Sequence, residues 1–295
     1  MSRLNSEGAV PRERKLLIIH ADDLGLAHSV NQATFDAWEI GAIGSASVMV
    51  PCPWFTEVMK YCRRHPALDM GVHLTITSEW PDYRWNAVSS VRGTSCLADE
   101  EGYLCADTGL LCEDPINVEI EIRAQVERVL ASRVRPTHVD AHMFSLLHQP
   151  AHARAYARVA GEFNLPFLAP IATPAMAEFF PGVLELQNAD NMTANVIFAN
   201  PETDSELWLD HYVELLASVK PGLNELIVHL GYDNAELRAI TAGREAWGSA
   251  WRQRDFDVVT SDTFRAACRE QDIHLTDWRT VAASRNAATE TRRLA

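Results

Sequence analysis

A chain of 295 residues, 47% of them hydrophobic, can bury a sizeable core, and one large α/β domain suits it better than two small ones. Its formal net charge of −14, with no basic cluster carrying interleaved aromatics, argues against a nucleic-acid partner. No apolar run approaches the roughly 18 residues of a membrane span, and the polar first residues, MSRLNSEGAVPRER, lack the apolar stretch of a signal peptide, so a cytoplasmic protein is expected.

The first predicted strand is LLIIHAD at 16–22, whose four successive apolar residues suit a strand buried on both faces. A helix over 30–39, ended by Gly41, leads to a second strand at 46–50. A helix over 55–64 leads to a third strand, MGVHLTI, at 70–76. Residues 78–114, rich in Gly, Ser, Asp, Trp and Pro without sustained period, read as a long excursion from the core. A helix over 117–131, a polar-faced strand in THVDAH at 137–142 and a helix over 151–163 follow. Later strands are expected at 165–170, within 183–198, and at 224–230, with a helix over 204–218 before the last of these. A final helix over 261–270 and the strand IHLTDW complete the pattern. Strands separated by helices imply parallel pairing, in an open doubly wound sheet or a (β/α) barrel. The domain is expected over 15–282, between flexible tails at 1–14 and 283–295. Six cysteines without a C-x-x-C pair read as reduced, structural thiols.

The buried-looking strands each finish in groups that can ligate metal or move protons, at the strand ends where parallel α/β folds build their sites. Asp22 and Asp23 follow LLIIHA and precede Leu24-Gly25. On an extended segment adjacent side chains diverge, so one carboxylate can meet a cation while the other meets a nucleophile or substrate; the alternative is a turn-forming pair. His73 lies inside GVHLTIT, where a satisfied core histidine is the competing assignment. In THVDAH a period of two places His138, Asp140 and His142 on one face, concentrating two imidazoles and a carboxylate. His229 ends ELIVH and can serve as a proton donor or, equally, as a capping residue. His28, His65, His148, His152, His211 and His274 read as surface residues. Trp80 and Trp85 in the excursion can stack on sugar rings or simply anchor the loop, whereas Trp247 and Trp251, at i, i+4 spacing, read as packing.

LLIIHADDLGLAHSVNQATFDAWEIGAIGSASVMV, GVHLTIT, RPTHVDAH and ELIVHLGYDN, in this order and nearly end to end, resemble the signature of the YdjC-like carbohydrate deacetylases, relatives of the NodB-type polysaccharide deacetylases. The resemblance implies a distorted (β/α) barrel, TIM-barrel-like, holding one divalent ion on Asp23, His73 and His142. It implies Asp22 as general base toward the attacking water, His229 as acid for the leaving amine, and His138 and Asp140 as neighbours that orient ligands. The substrate implied is a small acetylated sugar that loses its N-acetyl group. Two imidazoles and a carboxylate suit Zn²⁺, Co²⁺ or Mn²⁺, and the resemblance also allows Mg²⁺. The chain departs from the family in carrying Ala141, Met143, Phe144 and Leu146 where further histidines are common, Leu230 in place of a proline, and Ala169 near an expected arginine.

A fold does not fix a function, so a phosphoesterase or another amidohydrolase on the same barrel, or a non-catalytic sugar-binding protein, stands as the alternative. The scarcity of Lys and Arg near the motifs weighs against phosphate chemistry. A homo-oligomer is compatible with the sequence.

Overall fold

The protein is described by a computed structural model over residues 13–89, 96–187 and 192–284; nearly all of both expected tails lies outside these residues. The strands are β1 (Lys15–Leu24), β2 (Ser45–Val48), β3 (Met70–Leu74), β4 (Val139–Ala141), β5 (Leu168–Pro170), β6 (Met192–Phe198), β7 (Gly222–Val228) and β8 (Ile273–Leu275). The helices are α1 (His28–Glu39), α2 (Phe55–Arg64), α3 (Pro115–Ala131), α4 (Pro150–Glu162), α5 (Pro174–Phe179), α6 (Val183–Leu186), α7 (Trp208–Leu215), α8 (Ala235–Ile240), α9 (Ser249–Thr260) and α10 (Asp262–Glu270).

All pairings between these strands are parallel, in the order β4-β3-β2-β1-β7-β6-β5. A parallel bridge between Val139 and Phe167 joins the two ends, so seven strands approach a closed barrel. The eighth, β8, pairs with Lys15–Leu17 of β1, whereas β2 pairs with β1 only from His20 onward. β8 and β2 therefore share the length of β1, which is the distortion of the barrel.

Alternation along β1 separates two cores. Leu17, Ile19 and Ala21 join the large apolar cluster with helix residues such as Val30, Phe55 and Val58. Ile18 joins a small cluster with Leu168, Ala194, Ile227 and Trp278. The register Ile18↔Glu225 and His20↔Ile227 puts Glu225 and His20 on the same face as Ile18. The barrel interior is thus apolar in part and polar in a column that leads to the site.

Two expectations about individual residues need correction. Cys96 and Cys112 form a disulfide, with Cα atoms 5.3 Å apart, while Cys52, Cys62, Cys105 and Cys268 are buried free thiols. The excursion folds back on itself through an antiparallel bridge between Ala98 and Leu104, and the disulfide closes a 16-residue separation across it. His152 is fully buried within α4 rather than at the surface. No helix among the described residues is long and apolar enough to cross a membrane.

Candidate active site

The site begins with an irregularity in β1. Ala21 pairs with Ala46 and Leu24 with Val48, so three steps on β1 oppose two on β2. Asp23 takes up the extra residue with φ 66°, the left-handed conformation that an Asp tolerates better than most residues. Gly25 follows at φ 95°, its N–H donating to Asn31 Oδ1 at 2.7 Å, and a side chain there would meet Val48 Cγ2 at 3.1 Å. This bulge overturns the divergence expected of neighbouring side chains on a strand. Asp22 Oδ2 and Asp23 Oδ1 lie 3.7 and 3.5 Å from the same atom, His73 Nε2.

β3 supplies His73, and β4 with the 3-10 turn beyond it supplies Asp140 and His142. His73 Nε2, His142 Nδ1 and Asp23 Oδ1 form a triangle with sides of 3.2, 3.2 and 3.5 Å. Ligands about 2.1 Å from one ion stand about 3.0 Å apart at right angles and about 3.4 Å apart at the tetrahedral angle, so the triangle fits a divalent ion. The donor chemistry agrees. Asp140 Oδ1 accepts from His73 Nδ1 at 2.8 Å and Glu79 Oε1 accepts from His142 Nε2 at 2.9 Å, so each imidazole turns its other nitrogen inward. Asp23 Oδ1, buried, receives no hydrogen bond of good geometry. Two other His/Asp groups among the described residues have metal-like spacing, His20/His138/Asp140 and Asp22/His73/Asp140. Their Asp140 is engaged by His73, by His20 Nε2 at 2.9 Å and by the Ser47 hydroxyl at 2.8 Å.

Beside the triangle, His229 Nε2 stands 3.9 Å from Asp22 Oδ2. The backbone N–H of His229 donates to Asp255 Oδ2 at 2.9 Å, and its ring packs 4.7 Å from that of Trp251. Arg252, on α9, donates from Nη2 to Asp23 Oδ2 at 2.6 Å. A cavity of about 270 Å³ opens over these groups. Trp80, Trp247, Trp251 and Arg244 form part of its wall, and Ala141, Met143, Phe144, Leu168, Phe198 and Ile227 another part.

Charge and burial set the protonation of the site. Burial would depress His142, but the charge of Glu79, supported by Asp23, overrides it and carries the imidazole up to about 10. Burial acts the same way on His73, where Asp22 and Asp140 raise the ring above its ordinary value. For Asp23 burial acts upward, yet the Arg252 guanidinium and then His142 hold the carboxyl well below the usual range. His229 is pushed down to about 4 by burial, only partly opposed by Asp23 and Asp22, and is neutral at neutral pH.

The structure thus brings together Asp22, Asp23, His73, Asp140, His142 and His229. His138 lies deeper on the same face of the β4 segment, 3.3 Å from Asp69 Oδ1, 2.9 Å from the Thr137 hydroxyl and stacked on Trp278. Trp80 lines the cavity. Trp85 does not: its ring is buried and its Nε1 donates to the Thr77 carbonyl. Trp247 and Trp251, read as packing, line the cavity instead. Of the apolar departures, Ala141, Met143 and Phe144 face the cavity and Leu146 is buried away from it. Glu79, Arg244 and Arg252 escaped sequence reasoning; Glu79 lies six residues beyond His73 in the excursion, and neither arginine belongs to a polar strand end.

Comparison with known proteins gives the family and the fold. The model of the YdjC-like protein family matches residues 16–270. A carbohydrate deacetylase of Thermus thermophilus is 32% identical over 273 residues, covering 91% of this chain and 94% of that protein. A carbohydrate deacetylase of Brevibacillus brevis is 32% identical over 262 residues, covering 88% and 96%. A solved structure from Enterococcus faecalis V583, of a protein provisionally described as cleaving cellobiose-phosphate, superposes with a TM-score of 0.75 at 23% identity, covering 91% of this chain and 99% of that one, and so shares the fold. This chain belongs to the YdjC-like family.

Proposed function

We propose that the protein is a metal-dependent carbohydrate deacetylase that hydrolyses the N-acetyl group of an acetylated sugar. The observation that carries the reading is the triangle of Asp23, His73 and His142, each imidazole backed by a carboxylate, beside Asp22 and His229 in one cavity. The names of the relatives, carbohydrate deacetylases over nearly the whole chain, point the same way. A bound divalent cation supplies a Lewis acid that polarises the amide carbonyl and eases loss of a proton from the attacking water.

The residues divide the remaining work. Asp22, at the edge of the triangle, takes the proton of the attacking water. His229, neutral in the resting site, becomes an acid only once it gains a proton, and Asp22 at 3.9 Å is the near source. It then passes that proton to the leaving amine. The sugar lies against the part of the cavity wall where Trp247 is exposed, while Trp80 and Trp251, each 2% exposed, back that wall. Two imidazoles and one carboxylate favour Zn²⁺, Co²⁺ or Mn²⁺ over a hard oxygen-seeking ion.

The test is acetate release from a panel of N-acetyl sugars, beginning with N,N′-diacetylchitobiose, by the metal-reconstituted protein and its Asp22→Asn and His142→Ala variants. Acetate from the wild type alone supports the proposal. A metal-replete wild type inert on the whole panel contradicts it.

A further inference from the structure

Asp23 has two carboxylate oxygens and they face different partners. Oδ1 forms the triangle with His73 and His142. Oδ2 accepts from Arg252 Nη2 at 2.6 Å, between side chains that are each 3% exposed. We infer that Arg252 is a positioning residue that fixes Asp23 as a one-oxygen metal ligand, and thereby reserves a coordination position for the reactants.

Several features hold Arg252 in place. Its Nε reaches the Trp247 carbonyl at 3.4 Å, and its guanidinium lies 5.8 Å from the centre of the Trp251 ring. Its side chain packs against Gly231, where an added Cβ would lie 3.1 Å from Arg252 Cβ and 2.6 Å from Leu237 Cδ2. A larger residue at 231 would crowd Leu237 and the base of the Arg252 side chain. The left-handed backbone of Asp23 sets the carboxylate between the arginine and the two imidazoles. Without the guanidinium, Oδ2 would be a buried anionic oxygen beside a cation, free to become a second ligand atom from the same residue. The charge matters as well, because Arg252 offsets part of the negative charge that Asp22, Asp23, Glu79 and Asp140 bring to one cavity.

This inference rests on the triangle being the metal site, and its test separates the two. Co²⁺-loaded wild type, Arg252→Met and Arg252→Gln are compared by visible absorption, which falls as cobalt gains ligands, with no substrate present. Binding of Asp23 through both oxygens lowers the band of either variant by about twofold or more. Turnover falls by about 10- to 100-fold, the range seen when a group orienting a metal ligand is lost, with a smaller change in KM. A folded variant whose spectrum matches the wild type overturns the inference. A crystal structure of the Zn²⁺-loaded wild type tests it without any substitution: one Asp23 oxygen within bonding distance of the ion supports it, and two overturn it. A wild type that binds no Co²⁺ overturns the metal reading itself.

Discussion

His142 is held from both sides: its Nε2 lies 2.9 Å from Glu79 Oε1, and its Nδ1 lies 3.2 Å from Asp23 Oδ1. Glu79 is therefore the group that selects the tautomer of His142 and aims its other nitrogen. Glu79→Gln should weaken divalent metal binding by about 10- to 100-fold, measured by competition with a chromophoric chelator. Equal affinity in the two proteins would remove Glu79 from the site's design.

Asp22 is beside the triangle without belonging to it, so its replacement separates chemistry from metal binding. Asp22→Asn should retain the metal while turnover drops by about 100- to 10,000-fold, the usual worth of a general base. Metal content from elemental analysis, read with kcat, checks this. A variant that loses its metal as well would make Asp22 a ligand.

Proton linkage gives the proposed metal site a pH dependence with a definite sign. In the metal-free protein His142 titrates at about 10, raised above its ordinary value by Glu79 and Asp23 against the effect of burial. An ion must displace that proton, so affinity rises with pH below about 10, by about tenfold per pH unit for each proton released. The raised His73 adds to the slope in the same direction. Chelator competition between pH 6.5 and 8.5 measures it, and a flat profile would mean that neither imidazole is protonated in the metal-free site.

The sequence reading and the structure part company where contacts depend on chain paths. The alternation in THVDAH puts His138, Asp140 and His142 on one face, and in the structure Asp140 and His142 both reach His73. Their different depths in the barrel are tertiary facts: His138 meets Trp278 from beyond β8, and His142 meets Glu79 from the excursion. The convergence of Asp22 and Asp23 was likewise hidden, since a strand pattern does not reveal that β1 carries one residue more than β2. Trp247 and Trp251 have helical spacing that suits packing, yet Trp247 lies in a 3-10 turn before α9 and both reach the cavity.

Glu225, fully buried on the face of β7 that lies toward His20, makes a stability prediction. Burial pushes its carboxyl up to about 8, with His20 opposing. The folded state holds a proton that the unfolded chain gives up near about 4.3, so this group's contribution is full at low pH and is lost as pH rises toward 8. Glu225→Gln should raise the unfolding midpoint of the metal-free protein at pH 8.5 and change it little at pH 5, by calorimetry. A variant less stable at pH 8.5 would show that His20 favours the ionised carboxylate by more than its burial costs.

The most direct test of the central claim is acetate release from N,N′-diacetylchitobiose while metal is titrated into the chelator-stripped protein. Hydrolysis should be absent at the start, rise with added Zn²⁺ or Co²⁺, reach a plateau at one ion per chain, and yield one free amine per acetate. Activity in the stripped protein, or a metal-loaded protein that releases no acetate, would contradict the account.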